Sequence, residues 1–169
     1  MNDDTKKRAA ISLLEHEWHA LDTWLRSLDE RQLDRPVFGE APGWRVRDMP
    51  THIAWWQELA GRVAQKVATE GGAPTTSSRA FLGIEKTADE LNAETFETWR
   101  ARPMAERWDR WLEAHSRMMD AFRALRPDQF LQAEGGMEGM KLHFAVPGLI
   151  HLRMHRENIE AALKETPKA

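Results

Sequence analysis

Apolar residues recur along this chain at alternating spacings of three and four, the period of one helix face. Ile11, Leu14, Trp18, Leu21, Leu25 and Leu28 form such a stripe and predict a helix from about Asp4 to Leu28. Met49, Ile53, Trp56, Ala60, Val63 and Val67 form a second, from near Asp48 to about Glu70, with Asp48 placed as an N-cap and Pro50 in the first turn. Trp108, Leu112, His115, Met119 and Phe122 mark a third, from about Met104 to Leu125, which Arg126-Pro127 ends. "GLIHLRMHRENIEAAL", residues 148–163, gives a fourth, with Pro147 in its first turn. A short helix is expected from Thr87 to Trp99. "DERQLDRPVFGEAPGW", "GGAPTTSS" and the glycine-rich "EGGMEGM" separate these elements, and "KLHFAV" has a brief extended character. There is no internal repeat. The pattern predicts an all-α protein, a four-helix bundle with long connections, as one domain over residues 1–169.

The fourth helix breaks its own pattern. Projected at about 100° per residue, Ile150, Leu152, Met154, Ile159, Ala162 and Leu163 share a broad apolar arc. Arg153, Glu157, Glu160 and Lys164 take the other side, yet His151 and His155 fall in the middle of the arc. Histidines four residues apart bring their side chains within about 6 Å on one face and can share a metal ion. The plainer alternative is a pair of core-edge imidazoles, each bonded to a carbonyl or water. Unpaired buried polar groups cost on the order of 1–3 kcal/mol each, and a shared cation would satisfy both rings. His52, on the shoulder of the second helix's stripe, would supply a third ligand and leave coordination positions open.

His115 lies near the centre of the third stripe. It can be a core histidine, a partner of a ligating imidazole or a proton-transfer group, and a partner of a ligating imidazole or a place in the pocket wall is the preferred reading. Glu58 joins His115 as a catalytic candidate on location alone. His16 and His19 project toward solvent, and His143 sits in the glycine-rich loop without a role. Glu-x-x-His, His-Glu-x-x-His, Gly-x-Ser-x-Gly and a phosphate-binding glycine loop are all missing from the sequence.

Composition narrows the chemistry. Lys+Arg 24 against Asp+Glu 27 gives net charge −3, with no basic field directing the chain to nucleic acid. There is no cysteine, so disulfides, thiolate metal ligands and a cysteine nucleophile are excluded, and any reacting thiol must come from outside. The opening "MNDDTKKRAA" carries no apolar leader region and no apolar run is long enough for a bilayer, so a soluble cytoplasmic protein without membrane partners is expected. Of the 8 tryptophans, Trp44, Trp55, Trp56 and Trp108 are candidates for lining an apolar pocket.

"GWRVRDMPTHIAWWQELAGRV", residues 43–63, resembles the start of the second helix in the DinB/YfiT-like metalloenzyme superfamily, which includes the N-terminal domain of mycothiol-dependent maleylpyruvate isomerase. "LNAETFETWRARPMAERWDRWLEAHSRMMDAFRALRPDQF", residues 91–130, is similar to the middle of its ClbS/DfsB-like branch. The resemblance implies a four-helix bundle with a metal triad, one histidine from the second helix and a His-x-x-x-His pair on the last. Here those positions are His52, His151 and His155. It further implies a divalent cation, zinc or nickel. The activity implied is hydrolysis of a small electrophilic molecule or transfer of a low-molecular-weight thiol to it. A homodimer is the implied assembly. Two other readings remain beside the enzyme: a non-catalytic sequestration protein conferring resistance, and a stress-associated helical dimer with structural histidines.

Overall fold

The computed structural model describes residues 2–37, 43–72, 77–131 and 144–164. The four long helices are α1 (Asp3–Arg26), α3 (Met49–Glu70), α6 (Met104–Ala124) and α8 (Ala145–Lys164). Four shorter ones join them: α2 (Glu30–Leu33), α4 (Ser78–Phe81), α5 (Ala88–Trp99) and α7 (Pro127–Leu131). Among the described residues the only extended pairing is an isolated bridge between Pro36 and Arg45. The all-α bundle is as the periodicity predicts. Among the described residues no helix is long and apolar enough to cross a membrane.

α1 begins where Asn2 accepts a hydrogen bond from the Thr5 amide, with Asp3 and Asp4 against the positive end of the helix dipole. Its buried seam, Lys7, Ile11, Leu14, Trp18, Leu21 and Leu25, alternates steps of four and three. Lys7 ends this seam by donating to the carbonyls of Arg123 (2.7 Å) and Leu125, which close the C-terminal end of α6. α1 packs on α8 and α7, while α3 runs along α6 and touches α5, α4 and α8. The α3–α6 contact is close because of Gly61: a Cβ there would lie 3.2 Å from the Cα of Met118. Even alanine would push the two helices apart.

Three features depart from the hydrophobic pattern. On α6 the buried face is Arg107, Trp111, Ala114, His115, Met118, Met119, Ala121 and Phe122, while Leu112 is exposed and Trp108 half-buried. The face is turned by about one position because an arginine and Trp111 occupy it. On α8 the core stripe is Leu152, His155, Ile159 and Ala162, and Ile150 and Met154 are exposed. Finally, α2, α4 and α7 are short turns of helix in stretches whose Gly, Pro, Ser and Asp content reads as loop. The "EGGMEGM" loop and His143 lie outside the described residues; of "KLHFAV", Ala145 and Val146 already belong to α8.

Candidate functional site

α3 starts from an unusual foundation. A 3-10 turn, Val46–Asp48, leads into it, and Pro50 occupies its first turn. Asp48 takes the N-cap position, but its carboxylate does not cap α3. It accepts the Arg45 amide at 2.9 Å and pairs with Arg107 of α6 at 2.8 Å, both side chains almost fully buried. Arg107 also donates to the carbonyls of Arg47, Arg100 and Arg102. A buried guanidinium with this many acceptors is compensated, and the start of α3 is fixed one turn before His52.

His52, on α3, and His151 and His155, on α8, come together. The Nε2 atoms of His52 and His155 lie 3.0 Å apart, and those of His155 and His151 lie 2.8 Å apart. His52 and His155 are buried; His151 is half-buried at the opening. An imidazole nitrogen carries either one proton or one in-plane lone pair. The His155 Nε2 therefore cannot serve both neighbours with a proton at once. Burial first, then the neighbouring His155 and His52 rings, hold the His151 pKa well below its ordinary value and keep a lone pair on the ring. Three imidazoles converging by Nε2 form a donor set that could hold one metal ion, of the kind that suits zinc, nickel or copper better than calcium or magnesium. The residues present fit such an ion.

Aromatic side chains set the ring positions. Trp44, buried, stands edge-on to His52 with ring centres 5.0 Å apart. Trp56 donates its indole N–H to Asn92 of α5 at 3.2 Å and approaches His151. A cleft of about 300 Å³, bordered by the three histidines, Trp56, Asn92 and Met154, opens onto the cluster. A second cavity of about 310 Å³ lies behind His151 and Trp56, walled by Ile53, Leu59, Ala60, Met118 and Leu152. Of the candidate tryptophans, Trp56 lines both spaces, Trp44 backs His52, and Trp55 packs on Trp56. Trp108 lies elsewhere, under the guanidinium of Arg26.

The catalytic candidates are placed apart from the cluster. His115 stacks face to face on Trp18 at 4.0 Å, and its Nδ1 is 3.4 Å from the Gln57 Nε2. Burial, with His19 and Arg123 nearby, lowers its pKa to about 3, so the ring is neutral. Glu58 forms a two-pronged ion pair with Arg110, at 2.9 and 3.0 Å, and borders neither the cleft nor the cavity. His16 and His19 are exposed. Sequence reasoning passed over Gln57, whose cue is a polar residue between Ile53 and Ala60 on the buried face of α3. It also passed over Arg107, which gives no cue because its acceptors are backbone carbonyls distant in sequence.

A helical bundle with three imidazoles meeting between two of its long helices is the architecture of the DinB/YfiT-like domains. The chain belongs to the mycothiol maleylpyruvate isomerase N-terminal domain family, whose model matches residues 14–160. No curated protein and no solved structure gives a significant match.

Proposed function

We propose that this protein is a metal-dependent enzyme acting on a small electrophilic molecule, with zinc or nickel held by the Nε2 atoms of His52, His151 and His155. The observation that carries this reading is the convergence of three imidazole nitrogens at the mouth of a cleft beside an apolar cavity. A cation held by these three histidines would supply Lewis acidity, lowering the pKa of a nearby water or thiol and polarising an electrophilic oxygen. The chain supplies the rest. Trp44 and the Asp48–Arg107 pair hold the His52 ring in register, and the cavity walls exclude water from an apolar substrate. No side chain of the chain is a thiol, so the co-reactant is water or an external low-molecular-weight thiol. The family's name favours the thiol.

The test is metal analysis of protein purified without an affinity tag. One zinc or nickel per chain is expected, falling to none in a folded triple variant, His52→Ala with His151→Ala and His155→Ala. Removing the metal with a chelator should stop consumption of an electrophile such as maleylpyruvate, with or without mycothiol, and restoring it should restart the reaction. Substoichiometric metal indifferent to the triple change overturns the proposal.

A further inference from the structure

Among the described residues, the cleft at the histidine cluster is bordered by one further side chain with a hydrogen-bonding group to spare, that of Asn92 on α5. Trp56 and Met154 complete the wall, and no charged side chain joins them. α5 starts from a capping box between Thr87 and Glu90 and buries Leu91 and Thr95. Its packing on α3 brings Asn92, half-buried, to Trp56. An indole N–H can only donate, so the amide oxygen Oδ1 is the end that meets it, at 3.2 Å. Trp56 is itself held edge-on by Trp55, with ring centres 4.8 Å apart. These contacts fix which way the Asn92 amide points. Its other end, Nδ2, has no hydrogen-bond partner among the described residues and is not enclosed by protein, so a small molecule can reach it. A donor held in place by its own oxygen is preorganised, and a ligand that accepts from it sacrifices little side-chain freedom.

We infer that the ligand seated against the histidine cluster presents a carbonyl or carboxylate oxygen to Nδ2 of Asn92. Asn92 is thereby a specificity-determining residue contributed by a third helix. The inference rests on the proposed metal site and deepens it: the substrate is a carbonyl compound or a carboxylic acid, gripped at one oxygen by the amide. A ligand without an acceptor gains nothing from this group.

The test uses the full-length protein loaded with cobalt(II), whose visible absorption bands change when a small molecule joins the ion. Two probes are titrated. Acetate carries two acceptor oxygens; imidazole binds through one nitrogen and leaves only an N–H donor. Asn92→Leu should weaken acetate about three- to tenfold, the worth of one hydrogen bond, and leave imidazole within about twofold. Asn92→Asp keeps an oxygen for Trp56 but replaces the donor with an acceptor. Acetate should then weaken further while imidazole tightens. A merely loosened site would weaken both probes together. Absence of a saturable response to either probe, acetate affinity unchanged by Asn92→Leu, or equal loss of both probes in the variants overturns the inference. Failure of the folded protein to take up cobalt overturns the metal reading and this inference with it. One cobalt per chain with the two probes shifted alike overturns this inference alone.

Discussion

His115 and His155 are both buried on the inward stripes of long helices, yet their surroundings differ in kind. His115 uses its face: the ring lies 6° from parallel to Trp18, and one nitrogen meets one amide. His155 uses its edge, its Nε2 lying within 3.0 Å of two other imidazole nitrogens. A stacked neutral ring is a packing element with a polar handle. Nitrogens that converge edge-on gain most from something shared between them. Burial alone would have treated the two residues as equals; which atoms meet separates them.

The two regions also rest on different foundations, and the largest expected effect comes from removing one of them. The helix that carries His52 is tied at its start by Asp48 and Arg107, while the His115 region is set by aromatic packing. Arg107→Met leaves the Asp48 carboxylate buried without its charge partner and should destabilise the fold by about 3–5 kcal/mol. It should also weaken metal affinity about 10- to 100-fold, as loss of supporting contacts does elsewhere. Denaturant unfolding and metal titration check these figures. Arg107→Met combined with Asp48→Leu should recover part of the stability. A single-variant cost below about 1 kcal/mol would mean that the ion pair does not hold the start of α3.

Much of this contrast is legible in the sequence. The α1 seam from Ile11 to Leu25 is buried as its spacing predicts, and His52, His151 and His155 do meet. Heptad-like apolar steps and an i, i+4 pair are local signals, and local signals survive folding. The orientation of α6 was not legible, because a buried Arg107 counts as polar in any projection while its acceptors lie on distant backbone. Ile150 and Met154 read as core by residue type, but a hydropathy projection does not register where a bundle leaves one flank of α8 open. Gln57 needed the third dimension to show that its oxygen meets no donor.

The pH dependence of stability sharpens the comparison next. His115 has a pKa of about 3 in the fold, lowered by burial and then by His19 and Arg123, against about 6.5 in an unfolded chain. Below pH 6.5 the unfolded chain therefore binds a proton that the native ring refuses. Stability falls as pH drops from about 6.5 toward 3, with a slope approaching 1.4 kcal/mol per pH unit from this group. His115→Phe keeps a flat ring against Trp18 and removes the proton site. Between pH 6.5 and 4.5 the unaltered protein should lose about 2 kcal/mol more than the variant in urea unfolding. Carboxylates and the three clustered histidines contribute equally to both proteins and cancel in the difference. Parallel curves would show that His115 accepts its proton without leaving the stack.

The smallest effect is expected at Glu58, and it decides whether chemistry is confined to one region. A general base must come within hydrogen-bond reach of the proton it takes, directly or through one water. Glu58 points instead to Arg110, which lies over Trp99 with 4.6 Å from the guanidinium carbon to the ring centre. The Glu58 side chain is 39 % exposed, so the pair is largely screened by solvent. Glu58→Gln should cost less than about 1 kcal/mol of stability and leave metal content unchanged. If turnover is lost while fold and metal persist, the carboxylate must leave Arg110 and reach the cleft during reaction. The catalytic region would then extend across α3 to a residue outside both spaces bordered by His151, and the separation between reacting and packing surfaces would no longer hold.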